Sequence, residues 1–311
     1  MNTDMILILG VTASGKGKLA FDLAKNLGAE IISVDSMKVY RRMDIGTAKP
    51  SGDAQKQVKY HLIDVVEPSE FFSVAAFLEL AESAIEQIKA KNKPIVVVGG
   101  TAMYLKALLF GLFEGPGTDK RLRKQLKQKV EEEGSAELHK QLAGLDPAAA
   151  ERINPNDARR IIRAIEVYEL TGRPISSFQT QFTKDRPRHN WNILGLRREK
   201  PDAAHRINMR AKKMIEQGLV DEIKSLLAEG KPLSPQARCA IGYAEIIDYL
   251  NGEYSLEDAL ELIKKNTRKF AKSQRTWFKT FKNVNWLDVS ADEPAEQMLE
   301  RANAVLEQVE S

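Results

Sequence analysis

The sequence predicts an α/β fold: a parallel sheet core flanked by helices and interrupted by an all-helical insertion. Three observations predict it. Short apolar runs of β character, "MILIL" at 5–9, "EIISV" at 30–34 and "IVVVGG" at 95–100, alternate with helix-length stretches, as in sheets whose strands are buried on both faces. From Lys120 to Arg173 the β signals cease and only helical periodicity remains. A β-type run, "WNILGL" at 191–196, then returns, so the core is split in sequence.

The elements follow in order. Met5–Leu9 reads as a buried strand ending in a glycine-bearing turn, with a helix expected from Gly15 to about Leu27. The second strand, Glu30–Val34, ends at Asp35, which could cap a short helix over 36–40. The third β signal ends at Thr101, before the helical pattern "MYLKALLFGL". "EGPGTDK" at 114–120 is a turn cluster, and helices are expected near 119–133, 135–143 and 157–171. After the polar stretch "TKDRPRH" at 183–189 come the returning strand and helices over Pro201–Gln217, Val220–Leu227, Leu256–Lys282 and Asp292–Val309. The expected division is a core of 1–114 and 191–311 around a helical insertion at 115–190.

Composition narrows the function classes. Of 311 residues, 43% are hydrophobic and 29% charged, which argues against disorder. Apolar runs such as those at 5–9 and 95–98 fall far short of the roughly 20 residues of a spanning helix. No membrane partner is expected, and without a leader-like pattern the expected location is cytoplasmic. Cys239 is the only cysteine and the four histidines are scattered, so neither a disulfide nor a zinc site can be assembled from spacing. The net charge of +4 is mild but uneven: Lys264–Asn283 carries eight Lys or Arg and no acid.

The chemistry begins at residues 10–17, Gly10, Val11, Thr12, Ala13, Ser14, Gly15, Lys16 and Gly17. Gly10-x4-Gly15-Lys16 between a strand and a helix is a phosphate-binding loop, which makes the predicted core P-loop-type. Its backbone N–H groups form an anion nest, the helix adds its positive end, and Lys16 supplies a full charge. Such loops place Ser or Thr after the lysine to hold Mg²⁺, and Gly17 has no hydroxyl. The metal site is therefore weakened or borrowed from Thr12, Ser14 or Thr101. "IVVVGG" also lacks the strand-end acid of nucleotide-hydrolysing P-loop enzymes, which weakens an ATPase reading. Asp35, at the carboxyl edge of the sheet, lies where open α/β folds bind ligands.

Several stretches then converge: "GVTASGKG", "EIISVDSMKVYRRMDIGTAKP", "HLIDVVEPSEFFSVAAF", "VVVGGTAMYLKALLFGL", "NPNDARRIIRAIEVYELTGRPIS", "GLVDEI", "IGYAEIIDYL" and "TRKFAKSQRTWF". Over residues 5 to about 287 the chain resembles the tRNA dimethylallyltransferases, also called tRNA isopentenyltransferases. The resemblance implies transfer of a dimethylallyl group from dimethylallyl diphosphate to the N6 amine of the adenine 3′ to the anticodon, releasing pyrophosphate. It implies Asp35 as general base, with Thr12, Lys16 and an arginine of "HRINMRAKKM" stabilising the diphosphate; Arg210 is favoured over Arg206. It further implies Mg²⁺ as cofactor, a monomer, and contacts to the tRNA anticodon stem-loop from Asp35, Ser36, Met37, Lys38 and Thr101, from Arg159, Arg160, Ile161, Ile162 and Arg163, and from Arg268, Lys272 and Arg275. The target base would be flipped into a pocket.

The basic segment supports an RNA surface independently. Lys264, Arg268, Lys272, Arg275, Lys279 and Lys282 recur every three or four residues and form one helical stripe. Ile263, Phe270, Trp277 and Phe281 fall near the opposite side and are expected in the core. Besides Gly17, Ala244 and Ser273 stand where the family usually has basic residues. Two alternatives stay open: a non-catalytic or low-activity RNA-binding paralogue, and an isopentenyltransferase or kinase acting on a small nucleotide.

Overall fold

The computed structural model describes residues 5–112, 115–178 and 187–310, with side chains to 308. Glu114 of the turn cluster and residues 183–186 of the polar stretch lie outside the described residues. The chain divides into two compact units: Met1–Leu109 with His189–Ser311, and Phe110–Arg188.

The first unit is built on six parallel strands, β1 (Met5–Gly10), β2 (Glu30–Val34), β3 (Tyr60–His61), β4 (Ile95–Gly99), β5 (Asn192–Arg197) and β6 (Asn285–Asp288), in the order β3-β2-β4-β1-β5-β6. All of β1 is buried because it is central, hydrogen-bonded to β4 on one side (Leu7 opposite Val97) and β5 on the other (Leu7 opposite Ile193). On one face, Ile6, Ile8, Ile31 and Val96 pack against Leu19 and Leu23 of the helix Lys16–Leu27 and Met298, Ala302 and Leu306 of the helix Ala295–Glu310. Each fully buried Leu or Ile contributes about 1.5–3 kcal/mol of transfer free energy. The helices Val74–Lys89 and Leu256–Phe278 pack against the sheet from elsewhere in the unit.

Two glycines are set by close approach. A Cβ on Gly99 would lie 2.2 Å from the Val34 carbonyl oxygen, so β2 and β4 meet at their carboxyl ends only with glycine there. A Cβ on Gly100 would lie 2.6 Å from the Gln274 amide nitrogen. "VVVGGT" thus leaves room for a helix side chain to reach the sheet edge.

Several expectations are corrected. Residues 36–39 form hydrogen-bonded turns rather than a short helix, and Asp35 Oδ1 caps them by accepting from Met37 N (2.9 Å) and Lys38 N (3.3 Å). The long basic helix ends at Phe278, four residues short of Lys282. β3, β6 and the helices Val74–Lys89 and Tyr243–Leu250 add to the predicted elements.

Among its described residues, the regular elements of the second unit are helices: Lys120–Glu133, Ser135–Leu145, Pro147–Arg152, Ala158–Thr171 and Ile175–Phe178. Leu126, Leu138, Leu142 and Ile165 form its core, together with Ile161 and Ile162. Those two isoleucines, carried with the arginines in the expected RNA-facing segment, are turned inward because they occupy the apolar stripe of their helix. Within this unit Glu166 is fully buried and receives Arg123 Nε and Nη2 (2.9 Å each), Arg163 Nη1 (2.6 Å) and Asp119 N (3.0 Å). No helix among the described residues is long and apolar enough to cross a membrane.

Candidate active site

The phosphate loop joins β1 to the helix Lys16–Leu27 through two residues in left-handed backbone conformation, Ala13 (φ 63°) and Gly15 (φ 99°). The loop is held from outside by three arginines. Arg198 Nε donates to the Ser14 carbonyl (3.0 Å), Arg206 Nε to the Ala13 carbonyl (3.1 Å) and Arg210 Nη2 to Thr12 Oγ1 (2.5 Å). The first two bonds occupy the Ser14 and Ala13 carbonyls of the loop. Arg206 and Arg210, which the sequence leaves hard to rank, divide the work: Arg206 fixes backbone, while Arg210 reaches the threonine side chain.

The loop opens on a cavity of about 1140 Å³ lined also by Asp35, Lys38, Thr101 and Arg210, within the first unit. Asp35 follows β2 and Thr101 follows β4, so parallel strands deliver both to one edge. Thr101 Oγ1 accepts from Ser36 N (3.1 Å), which ties the two strand ends together. Among the described residues, the second oxygen of Asp35 makes no hydrogen bond.

The cavity is rich in cations whose side chains are buried. Burial first, then repulsion from Lys38 and Arg210, pulls the Lys16 ammonium down to about 7 against the opposing pull of Asp35; it donates to the Val11 carbonyl (3.2 Å). Burial likewise lowers Arg210, again against Asp35. An environment that disfavours buried cations is one that a bound anion relieves.

One residue at the site goes unannounced by any phosphate-loop motif. Gln274 is buried, accepts from Thr12 N (2.8 Å) through Oε1, and donates to the Gly100 carbonyl (2.8 Å) through Nε2. Its sequence signal is a polar side chain on the buried stripe Ile263, Thr267, Ala271, Gln274, Phe278.

The basic helix is less uniform than its stripe suggests. Lys264 is buried and paired with Glu261 (2.6 Å), and Arg268 Nη1 donates to Asn208 (2.6 Å), whereas Lys272 is exposed and Arg275 half-buried. Ile263 and Phe281 are buried as expected. Phe270 is not in the core: it is 43% exposed and lines the cavity, because its position faces the mouth rather than the sheet. Trp277 is half-buried, with the Lys106 ammonium 5.4 Å from its ring centre. In the helical unit Arg159 and Arg160 are exposed, Arg160 beside Asp157 (3.3 Å). Arg163 is bound to Glu166 and to the Pro116 and Gly117 carbonyls.

Of the hydroxyls near Gly17, Thr12 is engaged by Arg210 and Thr101 by Ser36, whereas Ser14 Oγ is buried without a partner. A Cβ at Gly17 would meet nothing within 4 Å, so glycine there is not a steric requirement.

Comparison with known proteins agrees with this architecture. The family model described as IPP transferase matches residues 38–281. The tRNA dimethylallyltransferase of Acetivibrio thermocellus is 46% identical over 286 residues, covering 92% of this chain and 91% of that protein. That of Geobacter metallireducens is 44% identical, covering 92% and 93%. The crystal structure of the full-length tRNA isopentenylpyrophosphate transferase from Bacillus halodurans superposes with a TM-score of 0.73 at 39% identity, covering 99% of this chain and 97% of that one. A eukaryotic dimethylallyltransferase acting on tRNA gives 0.81 at 27% identity, covering 98% and 79%. The chain belongs to the IPP transferase family.

Proposed function

We propose that this protein transfers a dimethylallyl group from dimethylallyl diphosphate to the N6 amine of the adenine 3′ to the anticodon of a tRNA, with release of pyrophosphate, and that it does so as a cytoplasmic monomer. The observation that carries the reading is the meeting of Asp35, Thr12, Lys16 and Arg210 on one cavity. Both halves of the reaction need those groups together. The amine is a poor nucleophile, and a carboxylate taking its proton contributes on the order of 10²–10⁴ in rate. The leaving diphosphate gains negative charge as the allylic C–O bond breaks, where Lys16, Arg210 and the loop N–H groups act. The Asp35 oxygen not engaged by the turn is the one free to accept the proton.

Mg²⁺ is part of the proposal. The site suits a hard cation that keeps waters and shares the substrate's phosphates: Ser14 Oγ is buried and unsatisfied on the same cavity. When bound, the ion neutralises diphosphate charge.

For the RNA, we assign Ser36 and Met37 of the turn after β2, with Thr101, to the target nucleotide, and Lys272 and Arg275 to backbone phosphates. Arg159 and Arg160 are assigned to phosphates as well, with Arg163 tying their helix to the Pro116 and Gly117 carbonyls. Phosphate contacts position RNA without reading sequence, so base selection falls to the cavity. The test supplies labelled dimethylallyl diphosphate with either an anticodon stem-loop bearing that adenine or free AMP. Label on the RNA alone is expected; label on AMP, or on neither, overturns the reading.

A further inference from the structure

We propose that Lys38 is a third cation of the diphosphate subsite, binding the substrate's phosphates together with Lys16 and Arg210. The inference rests on the diphosphate reading above and narrows the role of one residue in the 36–38 turn.

The placement comes first. The Lys38 backbone is pinned from both sides: its N–H donates to Asp35 Oδ1 (3.3 Å), and its carbonyl accepts from Asp64 N (3.2 Å). Its side chain is therefore launched from a fixed point on the cavity wall that also carries Lys16 and Arg210. Among the described residues, the Lys38 ammonium has no hydrogen-bond or ion-pair partner. The contrast with Lys49, nine positions from Tyr40, is direct: its ammonium donates to the Tyr40 carbonyl, Asp44 and Asp64. Lys38 forms no ion pair with Asp35 either, although the carboxylate acts on it through space.

The electrostatics select the ligand. Burial lowers the Lys38 pKa, and Arg210 and Lys49 lower it further against the pull of Asp35. Lys38 in turn depresses Lys16. Three cations thus face one space against a single carboxylate. A flipped adenine is neutral and offers an ammonium no counter-charge, whereas a diphosphate offers several oxygens bearing charge, so the interaction is charge-assisted. The turn itself can still pack against the nucleotide through Ser36 and Met37.

The probe is inorganic pyrophosphate, titrated calorimetrically into the full-length protein and its Lys38→Gln, Lys38→Met and Lys38→Arg variants, with thermal melting as the check on folding. The Kd for pyrophosphate is expected to rise about tenfold in Lys38→Gln and Lys38→Met and to recover largely in Lys38→Arg. In the transfer assay, KM for dimethylallyl diphosphate should rise by a similar factor with KM for the stem-loop unchanged. Equal pyrophosphate binding by wild type and the two neutral variants overturns the assignment, as does a rise confined to the RNA KM. Wild-type protein that fails to bind pyrophosphate overturns the diphosphate reading itself, which keeps the two failures apart.

Discussion

The strand β2 has a carboxylate near each end, and each is surrounded by three cationic or basic side chains, with opposite results. At the start, Glu30 is buried and receives His61 Nε2 (2.8 Å) and the ammonium groups of Lys91 (3.0 Å) and Lys93 (3.2 Å). Burial alone would raise its pKa, but those hydrogen bonds outweigh burial and hold it at about 2. Just past the other end, Asp35 has Lys16, Lys38 and Arg210 around the same cavity, none of them bonded to its carboxylate. One cluster is closed on itself and the other is kept open. Satisfied charge builds the fold, while unsatisfied charge, costly in the empty protein, waits for a ligand.

The comparison breaks if exchanging the two carboxylates for amides gives the same phenotype. Asp35→Asn should lower the turnover of prenyl transfer by about 10²–10⁴ with the melting temperature nearly unchanged, because the amide cannot take a proton. Glu30→Gln should do the reverse, leaving turnover intact in the folded protein while costing about 3 kcal/mol, the value of moving a carboxyl from an ordinary 4.5 to about 2. The sign is fixed by proton counting. Between about pH 4.5 and 2 the unfolded chain holds a proton on Glu30 that the folded one does not, so wild-type stability falls as the solution is acidified through that window. Chemical denaturation from pH 6 to 2 should show this slope in wild type and its loss in Glu30→Gln.

Lys16→Met sharpens the comparison with a stability effect of opposite direction. The folded protein releases the Lys16 proton near 7 and the unfolded chain near 10.5, so folding a charged Lys16 is penalised below 7 and the penalty disappears as pH rises to 10.5. Lys16→Met should therefore be more stable than wild type at pH 6, by a few kcal/mol, with the gap closing by pH 10.5. The same variant should lose pyrophosphate binding. A melting temperature at pH 6 no higher than wild type would show that the open cluster carries no cost.

The two ends of β2 also differ in how far the amino-acid sequence discloses them. The open cluster is largely legible: Gly10, Gly15 and Lys16 are local in sequence, and Asp35 and Thr101 each follow an apolar run, so the sheet edge is implied by strand ends. Gln274 is the exception, since it reaches Thr12 from 262 residues away. The closed cluster is illegible because His61, Lys91 and Lys93 meet Glu30 only once β3 and the end of the helix Val74–Lys89 are in place, and β3 is two residues long. β6 is hidden for a related reason: "NWLD" is a short edge strand with polar ends, and its pairing to β5, not its composition, makes it a strand. Phe270 shows the limit of periodicity, which assigns a helix face but not whether that face meets protein or a cavity.

Gly17→Thr tests the smallest difference, at the mouth of the open cluster. Gly17 is exposed in the first turn of the helix Lys16–Leu27, with no atom within 4 Å of an added Cβ. A side chain there costs nothing sterically, and replacing glycine in a helix gains at most a few tenths of a kcal/mol with a β-branched residue. What it adds is a hydroxyl at the position where phosphate loops ordinarily hold Mg²⁺. If Ser14 Oγ now shares that ion with the diphosphate, a second protein oxygen donor should lower the Mg²⁺ concentration for half-maximal transfer severalfold at an unchanged melting profile. A Mg²⁺ requirement identical in the two proteins would mean that the missing hydroxyl has no bearing on the metal, and that the open cluster neutralises its ligand through Lys16, Lys38 and Arg210 alone.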